Sequence, residues 1–142
     1  MTRSINAALI LALSLTSATR GGDTKSLDGT WLPTSAELGG EKFPDEIRKT
    51  IKLVIDDGKY TVTVGAKSDK GTLNVDSSKK LKEMDVVGTE GPNKGTTFLA
   101  IYEITDDTLK ICYDLSSKAR PSEFKTEKNT KLFLVTYKRE KP

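Results

Sequence analysis

The sequence of 142 residues contains no histidine. This absence removes the commonest general base, the Ser-His-Asp and Cys-His catalytic arrangements, and the usual nitrogen ligands of zinc. A P-loop, a dinucleotide-binding glycine motif and an EF-hand loop are also missing. Carboxylate pairs arise by chance among 20 acidic residues, so they do not identify a catalytic site. We therefore predict that the protein is not an enzyme and uses no cofactor or metal.

Cysteine is almost absent, since Cys112 stands alone and cannot form an internal disulfide. It lies in the strand-like run 109–113, which favours burial as a small apolar side chain. A reactive thiol would instead need an electropositive, partly open environment. The sequence predicts a buried Cys112.

Long apolar runs are missing except near the amino terminus. Arg3, the apolar run 7–15 and the small residues 16–18 follow the pattern of an export signal. This run is too short to cross the roughly 30 Å hydrocarbon layer of a membrane. We predict a signal peptide at residues 1–18, a flexible leader at 19–26 and one domain at 27–142. The mature protein would be secreted or periplasmic and would have no membrane span after signal cleavage.

A concentrated basic surface is missing as well. The chain carries 23 Lys and Arg and 20 Asp and Glu, which gives a formal net charge of +3. Basic and acidic residues are interspersed along the sequence, and no run of Lys and Arg is longer than the two residues of Lys79-Lys80. Nucleic-acid binding requires basic residues gathered on one face. The sequence therefore favours no nucleic-acid partner.

What the sequence does contain is a series of short β-rich segments separated by turn residues. The clearest signal is Asp57-Gly58 between two alternating runs, which predicts a tight hairpin. Pro44 predicts a short helical turn at residues 44–49. Because no helix is long enough for a parallel crossover, we predict an all-β, eight-stranded antiparallel up-and-down barrel. The predicted strands are residues 30–37, 51–55, 60–64, 72–75, 81–87, 97–104, 109–115 and 131–138.

The only tryptophan stands in the motif Gly29-Thr30-Trp31, at the start of the first strand. This motif resembles the lipocalin-like families, in which a Gly-x-Trp on the first strand closes the base of the barrel. The resemblance implies that an arginine from the last strand, here Arg139, lies across the indole. A guanidinium stacked on tryptophan gains about 0.5–2 kcal/mol of cation–π attraction.

Further segments extend this resemblance over nearly the whole mature chain. The sequence is similar to a family of small secreted lipocalin-like domains known chiefly from planctomycete bacteria, for which no activity is assigned. Ala100 departs from the family pattern, where a glycine is expected. The matching segments, in order, are 27–31, 71–73, 84–86, 101–104, 107–112, 120–124 and 138–139.

The connection 116–129 is long for an antiparallel meander, and loops of this length often cover or border a binding site. If a ligand site exists, we expect Arg120, Tyr102 and Tyr113 to form it, because an aromatic cavity with one cation suits an amphipathic anion. The alternative is structural: Phe124 anchors the loop, Arg120 pairs with a nearby acid, and both tyrosines belong to the core.

These observations favour a non-catalytic exported barrel that binds a small apolar or amphipathic molecule, or that acts as an interaction module of the cell envelope. A secreted proteinase inhibitor is the alternative, with residues 19–26 as the inhibitory arm. Such inhibitors usually carry a disulfide, which Cys112 cannot form alone. The sequence identifies no protein partner.

Overall fold

A computed structural model describes residues 24–141, so the predicted signal peptide and most of the leader lie outside the described residues. The described chain is almost entirely β-sheet, and eight strands form a closed antiparallel barrel in chain order. The prediction of an eight-stranded up-and-down barrel is confirmed. The barrel strands are β1 (Gly29–Leu38), β3 (Ile51–Asp56), β4 (Lys59–Val64), β5 (Lys67–Asp76), β6 (Lys82–Glu90), β7 (Thr97–Thr105), β8 (Thr108–Asp114) and β9 (Leu132–Arg139).

Three short elements accompany the barrel. The two-residue strand β2 (Glu41–Lys42) pairs with the end of β1, and the sequence did not indicate it. The helix α1 (Asp45–Arg48) follows Pro44, which confirms the predicted helical turn. A 3-10 turn at Lys25–Leu27 precedes β1 and includes the last two residues of the predicted leader.

The barrel closes at Trp31. Along β1, residues 29–31 pair with β3, and residues 31–38 pair with β9. Trp31 is thus paired on both sides, with Leu53 and with Arg139. After Trp31, β1 no longer pairs with β3. Here Arg48 of α1 donates a hydrogen bond to the Pro33 carbonyl oxygen at 3.0 Å. The helix therefore lies beside the part of β1 that β3 no longer pairs.

The hairpin predicted at Asp57-Gly58 is present. Both residues have positive φ, +52° and +76°, as a tight turn between twisted strands requires. The next hairpin differs from the prediction, because β5 begins at Lys67 rather than at Thr72. Gly65, with φ +64°, makes a two-residue turn that brings Val64 opposite Lys67. The polar run 67–70 has the composition of a loop, yet it forms the first four residues of β5.

Alternation along the strands separates an apolar interior from a polar outside. On β3, Ile51, Leu53 and Ile55 are buried, and the residues between them are more exposed. β7 is regularly paired through Ala100 on both sides, without a bulge. The end of the barrel that holds Trp31 is called the closed end here. The opposite end, where the β6–β7 and β8–β9 connections lie, is called the mouth.

Candidate ligand-binding cavity

The closed end is sealed by stacked and hydrogen-bonded side chains. The Arg139 guanidinium carbon lies 4.3 Å from the centre of the Trp31 ring. The Trp31 indole Nε1 donates to the Leu27 carbonyl oxygen at 2.8 Å, and both side chains are fully buried. The 3-10 turn and the last strand thus both contact the same indole.

Arg139 also ties three chain segments together. Its Nε donates to Asp107 Oδ1 at 3.0 Å, and its two terminal nitrogens donate to the carbonyl oxygens of Asp28 and Ser26. Gly29 has φ +142°, and a Cβ at this position would lie 2.9 Å from Arg139 Nη1. The glycine therefore gives the guanidinium room over the indole. The structure brings Gly29, Trp31 and Arg139 together at the closed end.

The interior opens towards the mouth as a cavity of about 890 Å³. Its walls are mostly aliphatic and aromatic, which suits an apolar ligand of drug-like size. Aliphatic residues from strands all around the barrel contribute, among them Leu53, Ile55, Leu73, Val86 and Ile111. The cavity ends above the Trp31 seal, since neither Trp31 nor Arg139 lines it.

Two tyrosine hydroxyls meet inside this cavity. The Oη atoms of Tyr113 and Tyr137 lie 3.1 Å apart, at hydrogen-bonding distance, and both residues line the cavity. Burial raises the pKa of Tyr137 to about 12. Burial and the neighbouring Tyr137 raise the pKa of Tyr113 well above its ordinary value. Both phenols are therefore neutral hydrogen-bond donors at any physiological pH.

An aromatic wall leads from the mouth to this pair. The rings of Phe43 and Phe133 lie 5.5 Å apart, and the ring of Tyr113 stacks on Phe133 at 5.6 Å with an interplanar angle of 25°. Offset aromatic contacts of this kind are favourable beyond their buried area. The cavity thus offers flat ring surfaces along one side.

Charge is confined to the mouth. Of the lining residues in the described chain, Asp69 and Lys131 are the charged ones. Asp69 Oδ1 and Oδ2 accept hydrogen bonds from the backbone and side-chain nitrogens of Asn93, at 3.0 and 2.8 Å. This contact holds the β6–β7 connection against β5. Nearby, burial and Asp69 together raise the pKa of Tyr60.

Arg120 does not belong to the cavity, which corrects the expectation that it faces a ligand. Its Nη2 donates to Asp85 Oδ1 at 2.8 Å, and its Nε lies 3.6 Å from Glu83. Met84 and Val86 of β6 line the cavity. Because successive side chains of a strand point to opposite faces, Glu83 and Asp85 lie on the outer face of β6. The structural alternative, in which Arg120 pairs with nearby acids, describes what is seen.

Tyr102 is also absent from the cavity wall, although it is buried in the core with 2% exposure. Of the three predicted ligand residues, only Tyr113 lines the cavity. The sequence analysis did not predict Tyr137, the hydrogen-bond partner of Tyr113. The signal was present in the alternation of β9, where Val135 and Tyr137 are buried on one face.

Cys112 lies outside the barrel wall and beneath the β8–β9 connection. Its neighbours Ile111 and Tyr113 line the cavity, so its side chain is on the outer face. It is nevertheless 0% exposed, because the connection covers it, and its Sγ lies 3.5 Å from the Lys125 carbonyl oxygen. Burial raises the pKa of the thiol. The prediction that Cys112 is buried is confirmed.

Asp114 organises the start of the same connection. Its carboxylate accepts hydrogen bonds from the backbone and hydroxyl of Ser116 and from the backbone nitrogens of Lys118 and Ala119. Burial alone would raise the pKa of Asp114, but these hydrogen bonds outweigh it and lower the pKa. A lowered native pKa stabilises the fold above the ordinary value, and this stabilisation is lost as pH falls through the lowered one.

We expect Asp114→Asn to lower the free energy of unfolding by about 2 kcal/mol at pH 7, since hydrogen bonds to a charged group contribute about 1.5–3 kcal/mol. The difference from the wild type should shrink as pH falls from about 4, the ordinary pKa of an aspartate, through the lowered native pKa, where the carboxylate becomes protonated. Urea unfolding followed by circular dichroism at several pH values measures both effects. The exposed Asp45→Asn is the control, and an equally large loss there would contradict this role of Asp114.

The fold and the site define a class: a closed antiparallel barrel with an apolar cavity that is sealed at one end and open at the other. No protein-family model, curated protein or solved structure matches the chain. Among residues 24–141, no group of three or more potential metal ligands is found. No helix in the same range has the length and apolar character needed to cross a membrane.

Proposed function

We propose that this protein is a non-catalytic, exported binding protein of lipocalin-like type that holds a small apolar molecule in its barrel. The observation that carries the proposal is the cavity of about 890 Å³, which has apolar walls and a single open end. A cavity of this size is within the usual range for small-molecule sites, and burial of apolar surface supplies the affinity. The export pattern at residues 1–18 supports a location outside the cytoplasm.

Native mass spectrometry tests the proposal directly. Protein purified from its own host is measured under native conditions and then extracted with organic solvent. We expect a mass excess that disappears on extraction, together with recovery of an apolar compound. Protein that carries no such compound and also fails to bind added apolar molecules would contradict the proposal.

A variant that fills the cavity gives a quantitative test. Val86 lines the cavity, so Val86→Trp should weaken binding of neutral N-phenylnaphthylamine at least about tenfold, which corresponds to about 1.4 kcal/mol. The new indole occupies space that the ligand needs, and the substitution should lower the stability of the fold only slightly. Fluorescence titration of the dye measures the dissociation constant.

The matched control is Val87→Trp, one residue along the same strand. Val87 is half-buried and faces the opposite side of the sheet. We expect the dye to bind this variant as it binds the wild type. Equal weakening by both substitutions would mean that the dye does not occupy the cavity.

The proteinase-inhibitor alternative placed its contact in residues 19–26. The structure describes residues 24–26 of this segment, and the Ser26 carbonyl oxygen accepts a hydrogen bond from Arg139 at 3.2 Å. This part of the segment is therefore attached to the closed end of the barrel. No observation on the described residues favours inhibition, so we do not propose it.

A further inference from the structure

Resting on the proposed function, we propose that the ligand is a neutral apolar molecule with a carbonyl oxygen, held by the hydroxyl pair of Tyr113 and Tyr137. Their Oη atoms are 3.1 Å apart inside the cavity. Each phenol has one proton to donate and can accept hydrogen bonds. The bond within the pair uses one proton, so a second one is left for a third oxygen atom.

The pair favours a hydrogen-bond acceptor over a pure hydrocarbon. In the empty cavity, water can satisfy the second proton, and a carbonyl oxygen that replaces the water preserves the hydrogen bond. A hydrocarbon displaces the water without replacing the bond and leaves a buried donor unsatisfied. The hydroxyl pair therefore selects for an acceptor at one position of an otherwise apolar ligand.

The distribution of charge favours a neutral ligand over a carboxylate. Lys131, the cationic residue among those that line the cavity in the described chain, belongs to the mouth, where β9 begins. Arg120 is engaged on the outer face by Asp85 and cannot meet a ligand inside. A carboxylate at the tyrosine pair would lose its hydration without gaining a cation, which is costly. Both phenols stay protonated, so they can donate to an uncharged oxygen at any physiological pH.

The aromatic wall suits a planar ligand. The rings of Phe43, Phe133 and Tyr113 follow one another from the mouth towards the hydroxyl pair. A flat conjugated molecule stacked along them would carry its oxygen to Tyr113 and Tyr137. Aromatic and conjugated ketones combine all three properties: a flat apolar body, no charge and one strong acceptor.

Three naphthalenes that differ in one substituent test the inference: acetylnaphthalene, ethylnaphthalene and naphthoate. Each is titrated into the wild type and into the double variant Tyr113→Phe/Tyr137→Phe by calorimetry. Removal of both hydroxyls leaves neither partner unsatisfied, so the fold is preserved. We expect the ketone to bind about tenfold more weakly to the double variant, the equivalent of about one buried hydrogen bond, and the hydrocarbon to change less than about twofold.

Tyr102→Phe is the matched control, because Tyr102 is buried in the same barrel but does not line the cavity. We expect this variant to bind the ketone as the wild type does. Naphthoate should bind more weakly than the ketone to the wild type at neutral pH. An independent measurement on the wild type is infrared spectroscopy of the bound ketone, whose carbonyl stretch should shift to lower frequency than in hexane.

The outcomes separate this inference from the proposed function. If ethylnaphthalene and N-phenylnaphthylamine bind but the double variant affects ketone and hydrocarbon equally, the hydroxyl pair does not select the ligand and the inference is wrong. Naphthoate that binds as tightly as the ketone would overturn the claim of a neutral ligand. If none of these compounds binds, the proposed function itself fails.

Discussion

Replacing Trp31 with alanine should lower the free energy of unfolding by about 3–5 kcal/mol, the usual cost of deleting a buried aromatic side chain. Trp31 is 0% exposed, and its removal also takes the donor from the Leu27 carbonyl and the ring from beneath Arg139. Since domains of this size are stable by about 5–15 kcal/mol, such a loss would leave little stability. Urea unfolding followed by far-ultraviolet circular dichroism measures it, because the variant has no other tryptophan to report fluorescence.

The neighbouring Leu32→Ala is the control for this experiment. Leu32 lies on the opposite face of β1 and is 39% exposed, so its truncation should change stability by less than about 0.5 kcal/mol. Trp31→Phe keeps a ring beneath the guanidinium but loses the indole donor, and it should lie between the two. If Trp31→Ala costs no more than Leu32→Ala, closure does not depend on the indole.

Much of the barrel could be predicted because its turns are encoded locally. Asp57-Gly58 marks a hairpin by residue type alone, since both positions require positive φ. The beginning of β5 was not predicted, because the turn before it has only a weak local signal. Gly65 gives a tight turn without a strong dipeptide signal, and the polar residues 67–70 pair with β4 although they bury little apolar surface. Hydrophobic periodicity cannot indicate a strand of which neither face is apolar.

The candidate site was less predictable, because it depends on which face a side chain takes and on what lies across the barrel. Tyr113 was expected in the cavity and is found there, but its partner Tyr137 comes from another strand. Arg120 lies on a loop, where no periodicity gives its direction. The acids that engage it, Glu83 and Asp85, are far away in sequence. Long-range pairing of this kind requires the register of the strands, which residue types alone do not determine.

The position of Arg120 leads to a second large expected effect, on the accessibility of Cys112. Besides its ion pairs, Arg120 Nη1 donates to the carbonyl oxygens of Met84 and Ala100 at 3.2 and 3.0 Å. It thus fastens the β8–β9 connection across the outer face of β6 and β7. Cys112 is buried beneath the same connection, and the Lys125 carbonyl oxygen accepts a hydrogen bond from its thiol. Reagents can reach this thiol only when the connection opens.

We expect Arg120→Ala to speed the reaction of Cys112 with a thiol reagent about thirtyfold, because loss of about 2 kcal/mol of charge-assisted hydrogen bonding raises the open population by that factor. Solvent screens the partly exposed ion pairs, so these contribute less than the bonds to the two carbonyls. Lys125→Ala is the matched control: it removes a charge from the same connection but keeps the carbonyl that faces Cys112. Its labelling rate should stay near that of the wild type. If Arg120→Ala also labels at the wild-type rate, contacts other than Arg120 hold the connection in place, and the anchor must be sought at Asp114 instead.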